Sequence, residues 1–248
     1  MEPQPAADLV TTLVCLAPFC LALVGLLGVG GLLLWLIRRR WRSPDETTLA
    51  AERRSLLSEV EAQMSGLRPW SPEILTDLST DWDARWQRWG RPWHIQGTIR
   101  SLSDPDGPRW VAFRAKIRGA WRIEGLLVAR TTAQTFEYRF GPQEVSSLVD
   151  DVPLGSILRN GALLGPDGAP LGREEQSQEG RGQGRSVILG GRVIAYLGRP
   201  SAKFRHPPAV TLVESPTDEE TTWLLALAIL QVAGYSVMRE IWSRRVWL

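Results

Sequence analysis

Few side chains in this sequence are of the types that carry catalytic chemistry, and none of them stands in a recognised catalytic spacing. His94 and His206 are the only imidazoles that could act as a general base near neutral pH. Neither belongs to a His-Glu-x-x-His zinc motif, and the chain shows no phosphate-binding loop, nucleophile elbow or dinucleotide fingerprint. The sequence therefore predicts a protein that is not an enzyme, with no catalytic residue and no cofactor.

Metal and thiol chemistry are equally poorly represented. Both cysteines, Cys15 and Cys20, lie in the apolar N-terminal segment, so the rest of the chain has no thiol for a disulfide, a zinc site or a nucleophile. Asp150 and Asp151 could together bind a cation, but adjacent carboxylates just before a proline are more typical of a solvated turn. We predict no metal site.

Positive charge is the strongest chemical signal. Residues 83–130 contain nine Arg and one Lys against four carboxylates. Within that segment Arg114, Lys116 and Arg118 alternate with apolar residues, which places them on the outer face of a predicted strand. Such a face suits an anionic partner, although a solvated surface without a partner has the same pattern. An anchored domain meets anionic lipid before nucleic acid, so nucleic acid is the disfavoured partner.

Tryptophan and arginine also alternate just before the first predicted strand. Trp82, Trp86, Trp89 and Trp93 are spaced four, three and four apart, and the first three would form one stripe on a helix. The stripe either lies at a membrane interface, where Trp and Arg are favoured, or packs on the domain that follows. The candidate lipid- or partner-binding residues are Trp82, Arg85, Trp86, Arg88, Trp89, Arg114, Lys116 and Arg118.

The segment 9–37 has no charged residue and is followed at once by Arg38, Arg39 and Arg40. This pattern predicts a retained transmembrane helix. By the positive-inside rule, residues 1–8 form a short tail outside the cell and everything from Arg38 onward is cytoplasmic. Arg outnumbers Lys 27 to 2, which is typical of a GC-rich genome and indicates a bacterial cell membrane.

Residues 38–93 are predicted to form an amphipathic helical, Trp-rich stalk. A helix begins at the Ser43-Pro44-Asp45-Glu46 sequence and ends near Gly66, and Ser71-Pro72-Glu73 opens a shorter turn or helix.

The period changes to two after Ile95, where the predicted β domain of residues 94–248 begins. Nine or ten short strands follow, including one at 121–130 with a bulge expected at Gly125, and Gly190-Gly191 predicts a two-residue hairpin. Residues 174–185 contain no apolar side chain and are predicted to form a mobile loop.

The segment 223–238 is apolar on every side. Ser215-Pro216 and the carboxylates that follow predict a helix start. Sixteen residues rise about 24 Å, less than the roughly 20 residues needed to cross a bilayer core. We therefore predict a mainly β (α+β) domain in which an antiparallel barrel or rolled sheet surrounds this helix.

This order of elements resembles the tubby-like superfamily, which includes phospholipid scramblases and LURP-one-related proteins. The resemblance covers roughly residues 95–238 and rests on the strand series, the turn Gly165-Pro166-Asp167-Gly168 and the strand Ala209-Val210-Thr211-Leu212-Val213 that leads into an apolar C-terminal helix. It implies a closed barrel of twelve antiparallel strands around a central helix. No ligand-binding motif of that family is found here.

Two functions remain open at this point. The leading hypothesis is a single-pass membrane protein whose cytoplasmic β domain binds anionic lipid or a membrane partner without catalysis. The alternative is a structural accessory subunit that docks on a larger membrane protein complex. An enzyme ranks third.

Overall fold

The structure is a computed structural model that describes residues 28–32, 35, 45–87, 93–104, 106–118, 124–176, 184–198 and 207–243. The chain divides into two compact units, Met1–Pro44 and Asp45–Leu248. In the first unit residues 28–32 and Trp35 are helical, and the rest of the predicted span at 9–37 lies outside the described residues. Among the residues that are described, no helix is both long enough and apolar enough to cross a membrane.

Twelve β-strands form one antiparallel sheet in which each strand pairs with the next along the chain. The strands are β1 (Leu78–Gln87), β2 (Trp93–Ser101), β3 (Arg109–Arg118), β4 (Glu124–Arg130), β5 (Thr135–Phe140), β6 (Glu144–Val149), β7 (Val152–Leu158), β8 (Ala162–Leu164), β9 (Pro170–Gln176), β10 (Arg185–Leu189), β11 (Arg192–Leu197) and β12 (Val210–Leu212).

The two ends of this sheet meet. The amide of Thr80 in β1 donates to the carbonyl of Pro207 at 2.9 Å, and the amide of Ala209 donates to the carbonyl of Leu78 at 2.6 Å. These bonds join β1 to the residues just before β12, so the sheet forms a nearly closed barrel. The predicted mainly β, antiparallel barrel is confirmed.

The C-terminal helix α2 (Asp218–Ser243) provides much of the core of this barrel. Seven successive residues, from Trp223 through Ile229, are each at most 1% exposed. A helix turns once every 3.6 residues, so seven buried residues in a row mean that every side of this stretch is covered. Phe113, Phe136 and Ile194 from the strands belong to the same apolar cluster, which confirms that the sheet surrounds the helix here.

The start of α2 differs in detail from the prediction. The hydroxyl of Thr217 accepts from the Glu220 amide at 3.3 Å, and the Glu220 carboxylate accepts from the Thr217 amide at 2.8 Å. This reciprocal pair is a capping box, so Thr217 caps the helix where Ser215 was expected to. Arg192 of β11 pairs with the same Glu220 carboxylate at 2.8 Å and ties the cap to the barrel wall.

A second helix, α1 (Glu46–Glu61), lies against the outside of the barrel. Its N-cap is Asp45, whose carboxylate accepts from the Thr48 amide at 2.9 Å. Leu49, Leu56 and Val60 pack on outward-facing residues of β3 and β4, namely Ala112, Leu126 and Val128. A helix was predicted at this position. It was assigned to a stalk between the membrane and the β domain, whereas in the structure α1 packs on the β domain itself.

The predicted helical tryptophan stripe is wrong. Trp82 and Trp86 lie in β1, opposite Ile99 and Ile95 of β2, and Trp93 begins β2. Positions four apart share one side of a strand as well as one side of a helix, so the spacing alone did not separate the two structures. Trp89 and Arg88 lie outside the described residues. The sheet therefore begins at Leu78, sixteen residues before the predicted start of the β domain at 94.

The strand count from sequence was too low, and the bulge at Gly125 is wrong. β4 keeps an unbroken register with β3 and β5 through Gly125. The alternation of apolar and polar residues is lost in β4 because both faces of the strand are apolar. Leu127 faces the barrel core, and Leu126 and Val128 lie under α1. The loop predicted at 174–185 is partly strand, since residues 174–176 end β9 and Arg185 begins β10.

Two hairpins have the same turn geometry but different chemistry. Gly190 and Gly191 join β10 to β11 with φ of 56° and 82°, as the sequence predicted. Asp150 and Asp151 join β6 to β7 with φ of 50° and 67°, a conformation that favours glycine or asparagine. Hydrogen bonding supports this turn, because the Asp150 carboxylate accepts from the Thr135 amide at 2.8 Å.

Candidate functional site: a helix-covered basic face and an arginine cleft

The predicted binding residues fall into two places. The backbone of Trp82, Arg85 and Trp86 lies in β1, paired with β2. The other three, Arg114, Lys116 and Arg118, project from the outer side of β3 toward α1, and their side chains are 20%, 23% and 27% exposed. The structure does not bring the two groups into one described contact.

The cations of β3 have carboxylate partners on α1. Lys116 Nζ lies 2.8 Å from Glu52 Oε1, and Arg118 donates to both oxygens of the same carboxylate, at 2.9 Å for Oε2. Arg114 lies 3.6 Å from Glu59 Oε2. The predicted positive strand face is therefore neutralised within the chain, and it is not an open surface in this structure.

The same arrangement extends to the neighbouring strands. Arg130 of β4 pairs with Glu61, and Arg139 of β5 donates to Glu46 Oε1 at 3.1 Å. We call the five cations Arg114, Lys116, Arg118, Arg130 and Arg139 the basic face. Every one of them is paired with a glutamate of α1.

One pair across the same interface has the opposite polarity. Arg53 of α1 donates to Glu137 of β5 through Nε at 2.5 Å and through a terminal nitrogen at 2.6 Å. It also pairs with Asp151 in the β6–β7 turn. The hydrogen bonds that Arg53 donates to Glu137 raise the pKa of Arg53 more than burial lowers it, so this guanidinium stays charged. Arg53 thereby fixes the register of α1 on the sheet.

The ionisation of Glu52 follows from its position between two cations. Burial raises the pKa of this carboxyl, but the hydrogen bonds and charges of Arg118 and Lys116 together outweigh burial and hold the pKa below its usual value. Glu52 is therefore an anion at neutral pH, as an ion pair requires.

His94 lies in β2 opposite Lys116 of β3. Burial and the charge of Lys116 lower the pKa of His94, which keeps its imidazole neutral at pH 7. The adjoining cavity, lined by Glu59, Gln96 and Arg114 among others, has a volume of about 30 Å³. That is room for about one water molecule and for no substrate. In the described part of the chain, no group of three or more His, Cys, Asp or Glu side chains could hold a metal ion.

A larger cleft opens at the end of the β2–β3 hairpin. Its volume is about 590 Å³, and it is lined by residues 65–68 on one side and by Arg100, Asp104 and 106–109 on the other. The two sides are joined where the Arg68 amide donates to the Arg109 carbonyl at 3.0 Å. We call it the arginine cleft, after Arg68, Arg100 and Arg109.

Charge is distributed unevenly in the arginine cleft. Three guanidiniums and the two carboxylates of Asp104 and Asp106 line it. Arg68 and Arg109 are exposed, and neither has a carboxylate partner among the residues that the structure describes. Two unpaired guanidiniums on one open cleft can bind a phosphate or carboxylate through paired N–H donors.

Sequence reasoning missed this cleft. Arg68 lies far from the β2–β3 hairpin in the chain and was assigned to the stalk. The contact depends on the segment after α1 folding back against the β2–β3 hairpin, where Leu67 forms a parallel bridge with Arg109. No local pattern in the sequence predicts that contact.

Comparison of the chain with protein-family models, with curated proteins and with solved structures gives no match.

Proposed function

We propose that this protein is a non-catalytic, membrane-anchored module with a tubby-like barrel, and that it binds anionic lipid headgroups through the arginine cleft. The observation that carries the proposal is the pair of exposed guanidiniums of Arg68 and Arg109, which lack a carboxylate partner among the described residues and line one open cleft. The twelve strands and the enclosed C-terminal helix support the tubby-like assignment.

The membrane part of the proposal rests on the N-terminal segment. Val29, Leu32 and Trp35 are each more than half exposed, as the lipid-facing side chains of an anchor would be. With the segment 9–37 as a single span, the arginines at 38–42 and the chain that follows them are on the cytoplasmic side, where the membrane leaflet carries anionic lipid. Anionic lipid is then the nearest abundant partner for the cleft.

The expected size of the effect follows from charge. An arginine near an anionic membrane surface contributes about 1 kcal/mol, so Arg68 and Arg109 together contribute about 2 kcal/mol. That corresponds to roughly a thirtyfold change in affinity. The R68Q/R109Q variant should lose most of its lipid response, while R159Q/R173Q, which removes the same charge elsewhere on the barrel, should keep it.

Hydrogen–deuterium exchange on the full-length chain tests this directly. The chain is held in dodecylmaltoside micelles that contain phosphatidylserine or, for comparison, phosphatidylcholine. We expect peptides covering 65–68 and 106–109 to exchange more slowly with phosphatidylserine, and an arm with inorganic phosphate separates a lipid from a free anion. Equal exchange in both micelles would exclude lipid binding at the cleft and favour the alternative, docking on a membrane protein complex.

A further inference from the structure

We propose that α1 is a displaceable cover, and that the basic face beneath it is a second surface for anionic membrane lipid that opens when α1 is released. The glutamates of α1 then occupy, within the chain, the positions that lipid headgroups take in the open state. This inference rests on the proposed function, because it deepens how the same module meets an anionic membrane.

The first argument is the match of charges. Glu46, Glu52, Glu59 and Glu61 of α1 each meet a cation of the basic face, and Glu52 meets two. Four carboxylates that flank the buried apolar stripe of α1 thus pair with five cations that come from three adjacent strands. Carboxylates and lipid phosphates bind guanidiniums through the same paired N–H donors, so one can replace the other.

The second argument is how lightly α1 is attached. Its buried apolar side chains are Leu49, Leu56 and Val60, which pack on a small outer cluster separate from the barrel core. The carboxylates at both ends are exposed, with Glu46 at 81% and Glu61 at 61%. Exposed ion pairs of this kind are screened by water and salt and contribute little stability each, so the polar attachment of α1 depends on Glu52 and on the Arg53–Glu137 pair near its centre. The α2 helix, by contrast, is buried on all sides and cannot leave without loss of the core.

The third argument is the consequence of release. Without α1, five cations on one side of the sheet would lack their partners, and a bilayer rich in anionic lipid offers many replacements at once. The bilayer surface competes with the glutamates of α1 for these cations. It presents many anionic headgroups close together, whereas each glutamate presents one carboxylate. Release therefore depends on the fraction of anionic lipid in the membrane.

Exchange on α1 itself provides the test, with the full-length chain in the same two kinds of micelle. We expect the amides of residues 49–61 to exchange at least several-fold faster with phosphatidylserine than with phosphatidylcholine. The E52Q/E59Q variant weakens the cover and should reach the same release at a lower fraction of phosphatidylserine. The charge-matched control E73Q/E144Q, with both changes outside α1, should behave as the wild type does.

A second variant keeps the test decisive if E52Q/E59Q loosens α1 completely. R114Q/K116Q/R118Q removes three of the five cations that lipid would bind, so the difference in its α1 exchange between the two micelles should be much smaller than in the wild type. Equal α1 exchange in both micelles for the wild type and for E52Q/E59Q would contradict the proposal that α1 is a displaceable cover. If the cleft peptides 65–68 and 106–109 still respond to phosphatidylserine in that case, the proposed function stands and the cover alone fails. Loss of both responses rejects both proposals.

Discussion

Tyr138 of β5 donates its buried hydroxyl to the carbonyl oxygen of Ala226, in the middle of the buried stretch of α2, at 2.7 Å. This bond joins the barrel wall to the helix that fills it, and both residues are fully buried. It fixes the rotation and depth of α2 at one point, because apolar packing alone has no comparable directional preference.

The first prediction concerns this bond. Tyr138→Phe removes the hydroxyl and keeps the ring, so we expect the free energy of unfolding to fall by about 1 kcal/mol, the usual net value of one hydrogen bond. Denaturant unfolding of the full-length chain in neutral detergent measures it. Tyr196→Phe, at a partly exposed position of β11, is the matched control and should change stability much less. An equal loss in both variants would mean that the bond to Ala226 does not stabilise the fold.

The second prediction is the alkaline behaviour of the same group. Burial raises the pKa of Tyr138 well above its usual value, so the folded protein keeps the hydroxyl protonated where the unfolded chain ionises. Stability from this group is therefore complete below about pH 10 and is lost as the pH rises further. We expect the advantage of the wild type over Tyr138→Phe to shrink above pH 10 in unfolding titrations. A difference in unfolding free energy between the two proteins that stays constant up to pH 11 would contradict this prediction.

Much of the fold could be predicted from the sequence because it has a local pattern. The all-apolar run in α2 and the alternation at Val111, Phe113 and Ala115 are both properties of neighbouring residues. The helix α1 was predicted for the same reason, from its capping residues and apolar spacing. These elements form where local propensity and burial agree.

The rest depends on contacts between distant segments. Glu52 and Arg118 are 66 residues apart, and nothing in either neighbourhood shows that they will meet. Arg114, Lys116 and Arg118 were correctly placed on the outer side of β3, but the helix that covers them could not be predicted without the tertiary fold. The strand β1 was missed because an even spacing of four suits a helix and a strand equally well. The arginine cleft was missed because it forms only when two separate segments touch.

The third prediction concerns Asp77, which joins the end of a 3₁₀ helix (Pro72–Asp77) to the β2–β3 hairpin. Its carboxylate accepts from Ser101 Oγ at 2.6 Å, from the Ser103 hydroxyl and amide at 2.8 and 3.0 Å, and from Trp110 Nε1 at 3.0 Å. Asp77→Asn replaces an oxygen acceptor with an N–H donor, and we expect a loss of about 1–3 kcal/mol. Asp167→Asn, in an exposed turn, is the control.

Acid titration tests the contribution of the negative charge of Asp77, because Asn has nearly the same shape but no charge. Burial raises the pKa of this carboxyl, but the hydrogen bonds from Ser101, Ser103 and Trp110 together lower it below the usual value. A lowered folded pKa gives stability that is present above about pH 4 and is lost as the pH falls below it. The wild type should therefore lose stability on acidification more steeply than Asp77→Asn does. Parallel acid slopes for the two proteins would contradict the assignment.

The fourth prediction concerns Gly155, where β7 passes close to α2. Its φ is +143°, and a Cβ there would lie 2.0 Å from the Leu164 carbonyl oxygen and 2.9 Å from the Trp223 ring. Gly155→Ala combines backbone strain with overpacking, each costing about 1–3 kcal/mol, so we expect roughly 2–6 kcal/mol of destabilisation. Gly168→Ala also has a positive φ, of +80°, but has open space around it and should cost less in a thermal melt. The reverse order would mean that β7 does not press on Trp223.

The last prediction tests whether α2 is the centre of the fold. Ala228 is 0% exposed and belongs to the seven-residue buried stretch, so Ala228→Asp places a carboxylate among apolar side chains. The desolvation of an unpaired charge and the disturbed packing together cost several kcal/mol, which is comparable with the 5–15 kcal/mol that holds a typical domain folded. We expect the full-length variant in neutral detergent to lose its near-ultraviolet circular dichroism and its cooperative melt. Ala50→Asp makes the same substitution at an exposed position of α1 and should change the melting temperature little. Partial recovery of the Ala228→Asp melt at acid pH would show that the buried charge is the cause, since protonation removes it. A variant that melts as the wild type does would show that α2 is not enclosed by the barrel.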